Sequence, residues 1–139
     1  MSTLQNKQLV EQMFSDVMNN RRFDRISDII APNYMNHSMP MPQPGPEGMA
    51  AILKMFEDGF PDMKITLDTV IAEGETVATR GYWTGTHRGA FMGIPATGKK
   101  VNIGFMDFWK FENGKATENW VQMDNMAIMQ QLGVIEQPA

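Results

Sequence analysis

The chain contains no cysteine. Disulfides, thiol nucleophiles and thiolate metal sites are therefore excluded, and a cytoplasmic location is the expectation. No apolar run approaches the roughly 20 residues that a membrane-spanning helix needs. Residues 1–6 are polar and lack the basic-then-apolar pattern of a signal peptide. Basic residues are few: 12 Lys and Arg stand against 16 Asp and Glu, a formal charge of −4. The densest basic cluster is Arg21, Arg22 and Arg25, and Asp24 interrupts it. Nothing there can track a phosphate backbone, so nucleic acid is not an expected partner. The 2 histidines, His37 and His87, are far apart and lack ligand spacing, so no metal site is expected. No serine sits in a nucleophile elbow. Gly85, Gly89, Gly93 and Gly98 read as turn and bulge residues, because the lysine and the strand-to-helix context of a phosphate loop are both missing.

What is present fits one domain over residues 1–139, long enough for a real core. Methionine is abundant, at 14 residues. Met fills irregular core gaps, and it also makes adaptable walls for bulky apolar ligands. Ser2 and Gln5 form a candidate capping box. Leu9, Val10, Met13, Phe14, Val17 and Met18 recur at helical spacing, and Asn19 and Asn20 end that helix. A second helix carries Phe23, Ile26, Ile29 and Ile30 and stops at Pro32. Residues 34–39 read as extended. Pro40, Pro42, Pro44 and Pro46 follow, as a connector or as the rim of a pocket. Pro46 opens a third helix with Met49, Ile52, Leu53 and Phe56 on its apolar stripe.

From Met63 the period changes to two. Ile65, Leu67, Thr69 and Ile71 share a face of one strand. Val77, Thr79, Gly81 and Trp83 share a face of the next. Val101, Ile103, Phe105, Asp107, Trp109 and Phe111 share a face of the third. Asn113-Gly114 is a hairpin turn signal. Residues 115–123 make the last long strand, and a short helix at 125–132 ends at Gly133. Helices before a meander of long strands argue for an α+β fold. A curved sheet with helices on its concave side encloses a cone, a natural small-molecule site.

In the last strand, Glu118, Trp120, Gln122 and Asp124 project together if the alternation is regular. Acids and an amide beside a Trp ring suit a wet, aromatic-walled pocket better than a dry core. That makes Asp124 the first candidate for chemistry. Its competing role is to cap the helix that begins at Asn125. Asp107 stands between Phe105 and Trp109, where an unsatisfied charge is expensive. It is either a second acid or hydrogen-bond donor, or half of an ion pair, with Arg80 as the partner. Tyr34, Trp83, Phe105, Trp109 and Trp120 are the aromatic candidates for a pocket wall, or ordinary core residues. Arg80 reads as an ion-pair partner or a contact to a substrate oxygen.

A series of short motifs carries a resemblance over nearly the whole chain. They are Tyr34-Met35-Asn36-His37, Gly45 through Gly48, Phe60-Pro61-Asp62, Gly85-Thr86-His87-Arg88-Gly89, Gly93-Ile94-Pro95 with Thr97-Gly98-Lys99, Asn113-Gly114-Lys115, Glu118-Asn119-Trp120 with Asp124, and Gln131-Leu132-Gly133. In this order and spacing the chain resembles the SnoaL-like polyketide cyclases, also called ester cyclases. The resemblance implies the nuclear transport factor 2-like, cystatin-like cone: a mixed, mostly antiparallel curved sheet with N-terminal helices on its concave face. It also implies cofactor-free chemistry, in which an aspartate serves as acid and base in an intramolecular aldol cyclisation. By motif position that aspartate is Asp124, with His37 and His87 near the pocket. Asn36 departs from the resembling sequences, many of which have an acid there. Pairing through the outer sheet face, as a homodimer or higher homo-oligomer, is implied as well.

The resulting expectation is an enzyme acting on a small apolar, carbonyl-containing ligand, with Asp124, His87, His37 and Asp107 as catalytic candidates. A binding module using the same cone without catalysis is the alternative. A fold shared this widely does not fix function.

Overall fold

Ser2 caps the first helix in both directions. Its hydroxyl accepts from the Gln5 N–H at 3.1 Å, and the Gln5 side chain accepts from the Ser2 N–H at 2.9 Å. A computed structural model describes residues 2–136 of the chain. In it α1 (Thr3–Gln12) runs directly into a π-helical segment, Met13–Asn19, where the sequence predicts one uninterrupted α-helix. Tertiary contacts set this ending. Met13, Phe14, Val17 and Met18 are buried, and the Asn19 amide bonds both the N–H and the C=O of Ile65 at 2.8 Å. A single 3₁₀ turn (Phe23–Arg25) leads into α2 (Ile26–Ile29).

The chain then turns extended earlier than expected, as β1 (Ile30–Asn36). Pro32 lies inside this strand. It is tolerated because β1 is an edge strand and needs no donor there. After the proline-rich connector, α3 (Gly45–Gly59) starts with Pro46 in its first turn. β2 (Lys64–Glu73), β3 (Thr76–Thr86), β4 (Lys100–Glu112) and β5 (Lys115–Met123) follow, and α4 (Asn125–Gln131) closes the described chain. The five-stranded sheet has the order β1-β5-β4-β3-β2. Only β1 and β5 run parallel. The α+β class and the helices-then-strands order match the sequence reading.

The odd-numbered residues of β4 are buried from Val101 through Phe111, and its even-numbered neighbours face outward. The buried face receives Val10, Phe14 and Val17 from the N-terminal helix and Met49, Ile52 and Phe56 from α3. Two register shifts bend the sheet around them, between Leu67 and Thr69 in β2 and between Lys110 and Phe111 in β4. Gly81 pairs with Leu67 at the first shift. A Cβ at Gly81 would collide with the Thr66 carbonyl oxygen. Gly81→Ala is therefore expected to destabilise the protein by about 3 kcal/mol, as a fall in denaturant midpoint, because backbone on a paired strand cannot move aside cheaply.

Candidate active site

Strand register assembles the site. Thr79, Asp107 and Val121 form one row across β3, β4 and β5. Trp109 and Asn119 pair in the next row, and Asn119 pairs in turn with Asn36 of β1. All of these residues are on the inner face. Helical residues Phe14, Met18, Met49, Ile52 and Phe56 close over them. The result is a cavity that offers about 80 Å³ to the centre of a water-sized sphere. Its wall is apolar and rich in methionine, with Met18, Met39, Met49, Met63 and Met123 all contributing. At the mouth, the Arg21 guanidinium pairs with Glu57 at 3.2 Å and donates to the carbonyls of Met18, Pro61 and Met63.

Asp107 is the acid inside this cavity and is only 6 % exposed. Its Oδ1 accepts from the Thr79 hydroxyl and from the Trp109 indole N–H, the latter at 3.0 Å. The Asn119 side chain is a third hydrogen-bond partner of this carboxyl. Burial pushes the carboxyl up to about 6, while hydrogen bonds from Thr79 and Trp109 and the nearby Asn119 amide oppose a larger rise. A buried carboxyl raised to this range can take a proton and return it near neutral pH.

Asn119 joins the polar groups behind it. Its amide nitrogen donates to the Phe108 carbonyl at 2.9 Å. Its oxygen accepts from the Tyr34 hydroxyl at 3.2 Å and from the Asn36 amide at 3.3 Å. Burial pushes the Tyr34 phenol well above its usual range and keeps it a protonated donor; a side-chain hydrogen bond with Asn36 opposes the rise, and the charge of Asp107 adds to it.

The sequence candidates separate on this geometry. Trp83, Phe105 and Trp109 line the cavity with Asp107. Tyr34 is fully buried behind Asn119 and stacks on Trp109 at 6.3 Å. Asp107 is not paired with Arg80, which instead bonds Asp68 at 2.9 Å on the outer surface. The expected face of β5 is reversed: Asn119, Val121 and Met123 line the cavity, and the Glu118–Trp120–Gln122 face does not. Trp120 is 42 % exposed and stacks against His37 at 4.9 Å, and His37 lies 3.1 Å from Glu118. His37 therefore sits on the outer face and outside the cavity. His87 is wholly buried but does not line the cavity; its Nδ1 accepts from the Thr97 N–H at 3.2 Å, and its ring stacks on Phe60. Among the described residues no His, Asp and Glu side chains gather in a set that could hold a metal ion.

Asp124 caps α4, accepting from the Ala127 N–H at 3.0 Å, and is absent from the cavity wall. Asp124→Ala is expected to cost about 1 kcal/mol of stability, the usual loss of an N-cap, and to leave turnover within twofold in a steady-state assay. Sequence reasoning missed Asn36, Asn119 and Thr79. The signal for the β5 face was the alternation of Val121 and Met123 with polar residues.

The chain belongs to the SnoaL-like polyketide cyclase family, whose model matches residues 8–132. Among solved structures, TsrD from Streptomyces laurentii superposes with a TM-score of 0.88 at 26 % identity, covering 97 % of this chain and 99 % of that one. IdmH from Streptomyces antibioticus, a candidate polyketide cyclase, gives 0.79 at 27 % identity over 93 % of this chain and 99 % of its own. AclR from Streptomyces galilaeus, a candidate hydroxylase, shares the fold with a TM-score of 0.85 at 24 % identity, over 99 % of this chain and 87 % of its own. No curated protein sequence matches the chain. Family and neighbours support a cyclase- or isomerase-type role on a small molecule.

Proposed function

We propose that the protein is a cofactor-independent cyclase or isomerase of an apolar, carbonyl-rich substrate, with Asp107 as the group that moves the proton. The observation carrying this reading is the buried Asp107 carboxyl, held by Thr79 and Trp109 inside an apolar cavity. Ionised Asp107 takes a proton from a carbon flanked by carbonyl groups. The resulting enolate attacks a second carbonyl in the same molecule, and the new alkoxide recovers the proton from Asp107. Thr79 and Trp109 hold the carboxyl in one orientation throughout. Asp124, first by motif position, is assigned the helix cap.

The test is incubation of the protein in D₂O with simple β-dicarbonyl compounds and polyketide methyl esters, followed by mass and NMR. Deuterium entering the activated carbon, or an isomeric cyclised product, supports the enzyme. Ligands that raise the melting temperature without any exchange indicate a binding module in the same cone.

The outer sheet face supports a homodimer. Phe108 and Trp120 are directly paired there and Met106 is adjacent, all well exposed in the single chain. Phe108→Glu is expected to shift the protein to monomer in sedimentation velocity at micromolar concentration, and a wild type already monomeric there contradicts this pairing.

A further inference from the structure

We propose that the Trp83 indole N–H donates a hydrogen bond to a second, neutral oxygen of the substrate, remote from the carbon that gives up its proton. Its use in turnover rests on Asp107 acting as the base; the contact itself does not.

The other polar side chains of the cavity wall are engaged with one another. Arg21 pairs with Glu57, Trp109 donates to Asp107, and Asn36 donates to Asn119. Trp83 lines the same cavity and is 1 % exposed, yet its Nε1 is buried with no hydrogen-bond partner among the described residues. Phe56 and Phe60 hold the indole in place, at 84° and 69° to its plane with ring centres 5.8 and 5.0 Å away. Ring faces are weak acceptors, so the N–H keeps most of its bonding capacity. An indole nitrogen can only donate. A buried donor without a partner is destabilising, and an acceptor arriving through the cavity removes that cost.

Strand register sets how far this donor stands from the acid. Asp107 is opposite Thr79, and Trp83 is opposite Ile103. The two side chains therefore start four residues apart along the sheet, about 13 Å at the usual strand rise. Both line one cavity. That separation suits two oxygens of one extended molecule: a carbonyl beside the carbon that Asp107 deprotonates, and a second acceptor towards Trp83. The second oxygen is neutral. Arg21 is committed to Glu57 and to the carbonyls of Met18, Pro61 and Met63, so a carboxylate finds no open counter-charge in this wall. The substrate class is therefore a neutral diketone, polyketone or keto ester with its oxygens spread along the molecule, and not a free acid.

The probes are 1,4-diacetylbenzene and 4-isopropylacetophenone, which match in shape and differ in the second oxygen. The variant replaces the indole at position 83 alone by benzothiophene, which keeps the shape and lacks the N–H. With 3 tryptophans in the chain, the Trp83 signal in indole ¹H–¹⁵N spectra is assigned by its absence in this variant. Saturating 1,4-diacetylbenzene should move the Trp83 proton downfield in wild type and in Asp107→Asn, while Trp120 on the outer face stays in place. The variant should bind this diketone about tenfold more weakly, the worth of one hydrogen bond. It should also melt no lower than wild type when free, which an N–H with a structural partner would not allow. In α-carbon exchange wild type should favour the diketone about tenfold in kcat/KM per acetyl group, mostly through KM, and the variant should lose that preference. An unmoved Trp83 proton at saturation, an affinity or preference unchanged in the variant, or no binding of the diketone to wild type overturns the assignment. A moved proton without exchange leaves the Trp83 contact in place and defeats only the proton-transfer reading.

Discussion

Asp107→Asn should abolish turnover and, at the same time, make the protein more stable at neutral pH. The first effect follows from removing the proton acceptor, and a loss of about 10²–10⁴-fold is the usual scale for a general base. The second follows from linkage. Burial raises the folded-state carboxyl from 3.8 to about 6. Between those values the folded protein binds more protons than the unfolded chain, so stability falls as pH rises through the window. A shift of about two units corresponds to roughly 3 kcal/mol, fully present below about pH 4 and fully lost above about pH 7. Asparagine at this position keeps an oxygen for the Thr79 and Trp109 donors and carries no charge. The variant should gain about 1–3 kcal/mol at pH 8 and nothing at pH 4, measured by denaturant unfolding at both values. Such a trade of stability for activity is common where a site holds a desolvated acid.

Asn119→Leu should be the most damaging single substitution in the polar interior. Leucine fills the volume but removes one hydrogen bond each from the Tyr34 hydroxyl, the Asn36 amide and the Phe108 carbonyl, leaving Tyr34 its contacts with Asn36 and the Met49 sulfur. Each buried group so deprived costs about 1–3 kcal/mol, so a total near 4 kcal/mol is expected. That is a large share of a typical domain's stability, roughly 5–15 kcal/mol. Tyr34→Phe removes one partner and strands less, at about 1 kcal/mol. The two variants compared by urea unfolding separate a hub from a single contact; equal losses would contradict the hub.

The strands, the Asn113-Gly114 turn and the helix caps were legible because each depends on local chemistry. Ser2 and Gln5 pair as the capping box requires, and β4 keeps its alternation from end to end. The inner face of β5 was misread. Phe111 pairs with Ala116 but Lys110 pairs with Glu118, so Thr117 is an extra residue in the ladder. Alternation inverts there: Ala116 is buried before it and Asn119 after it, as an added residue requires. Period-two reading from Glu118 towards Asp124 carries only one mark of that inversion, the apolar Val121 and Met123 on the opposite face. It put Trp120 and Asp124 on the pocket side and left Asn119 outside it. Asp107 was legible as an acid among aromatics, but its partner was not. Thr79 sits opposite it by strand register, while Arg80, one residue on, faces outward to Asp68. The π-helical ending of the first helix was equally hidden, since the bonds from Asn19 to Ile65 join residues distant in sequence.

The most direct single measurement is the titration of the Asp107 side-chain carboxyl carbon by ¹³C NMR in the free protein, assigned by its disappearance in Asp107→Asn. A midpoint near 6, coinciding with the midpoint of the pH dependence of α-carbon exchange, is the expected result. A midpoint near 4, or an exchange profile that follows Asp124 instead, would contradict Asp107 as the group that moves the proton.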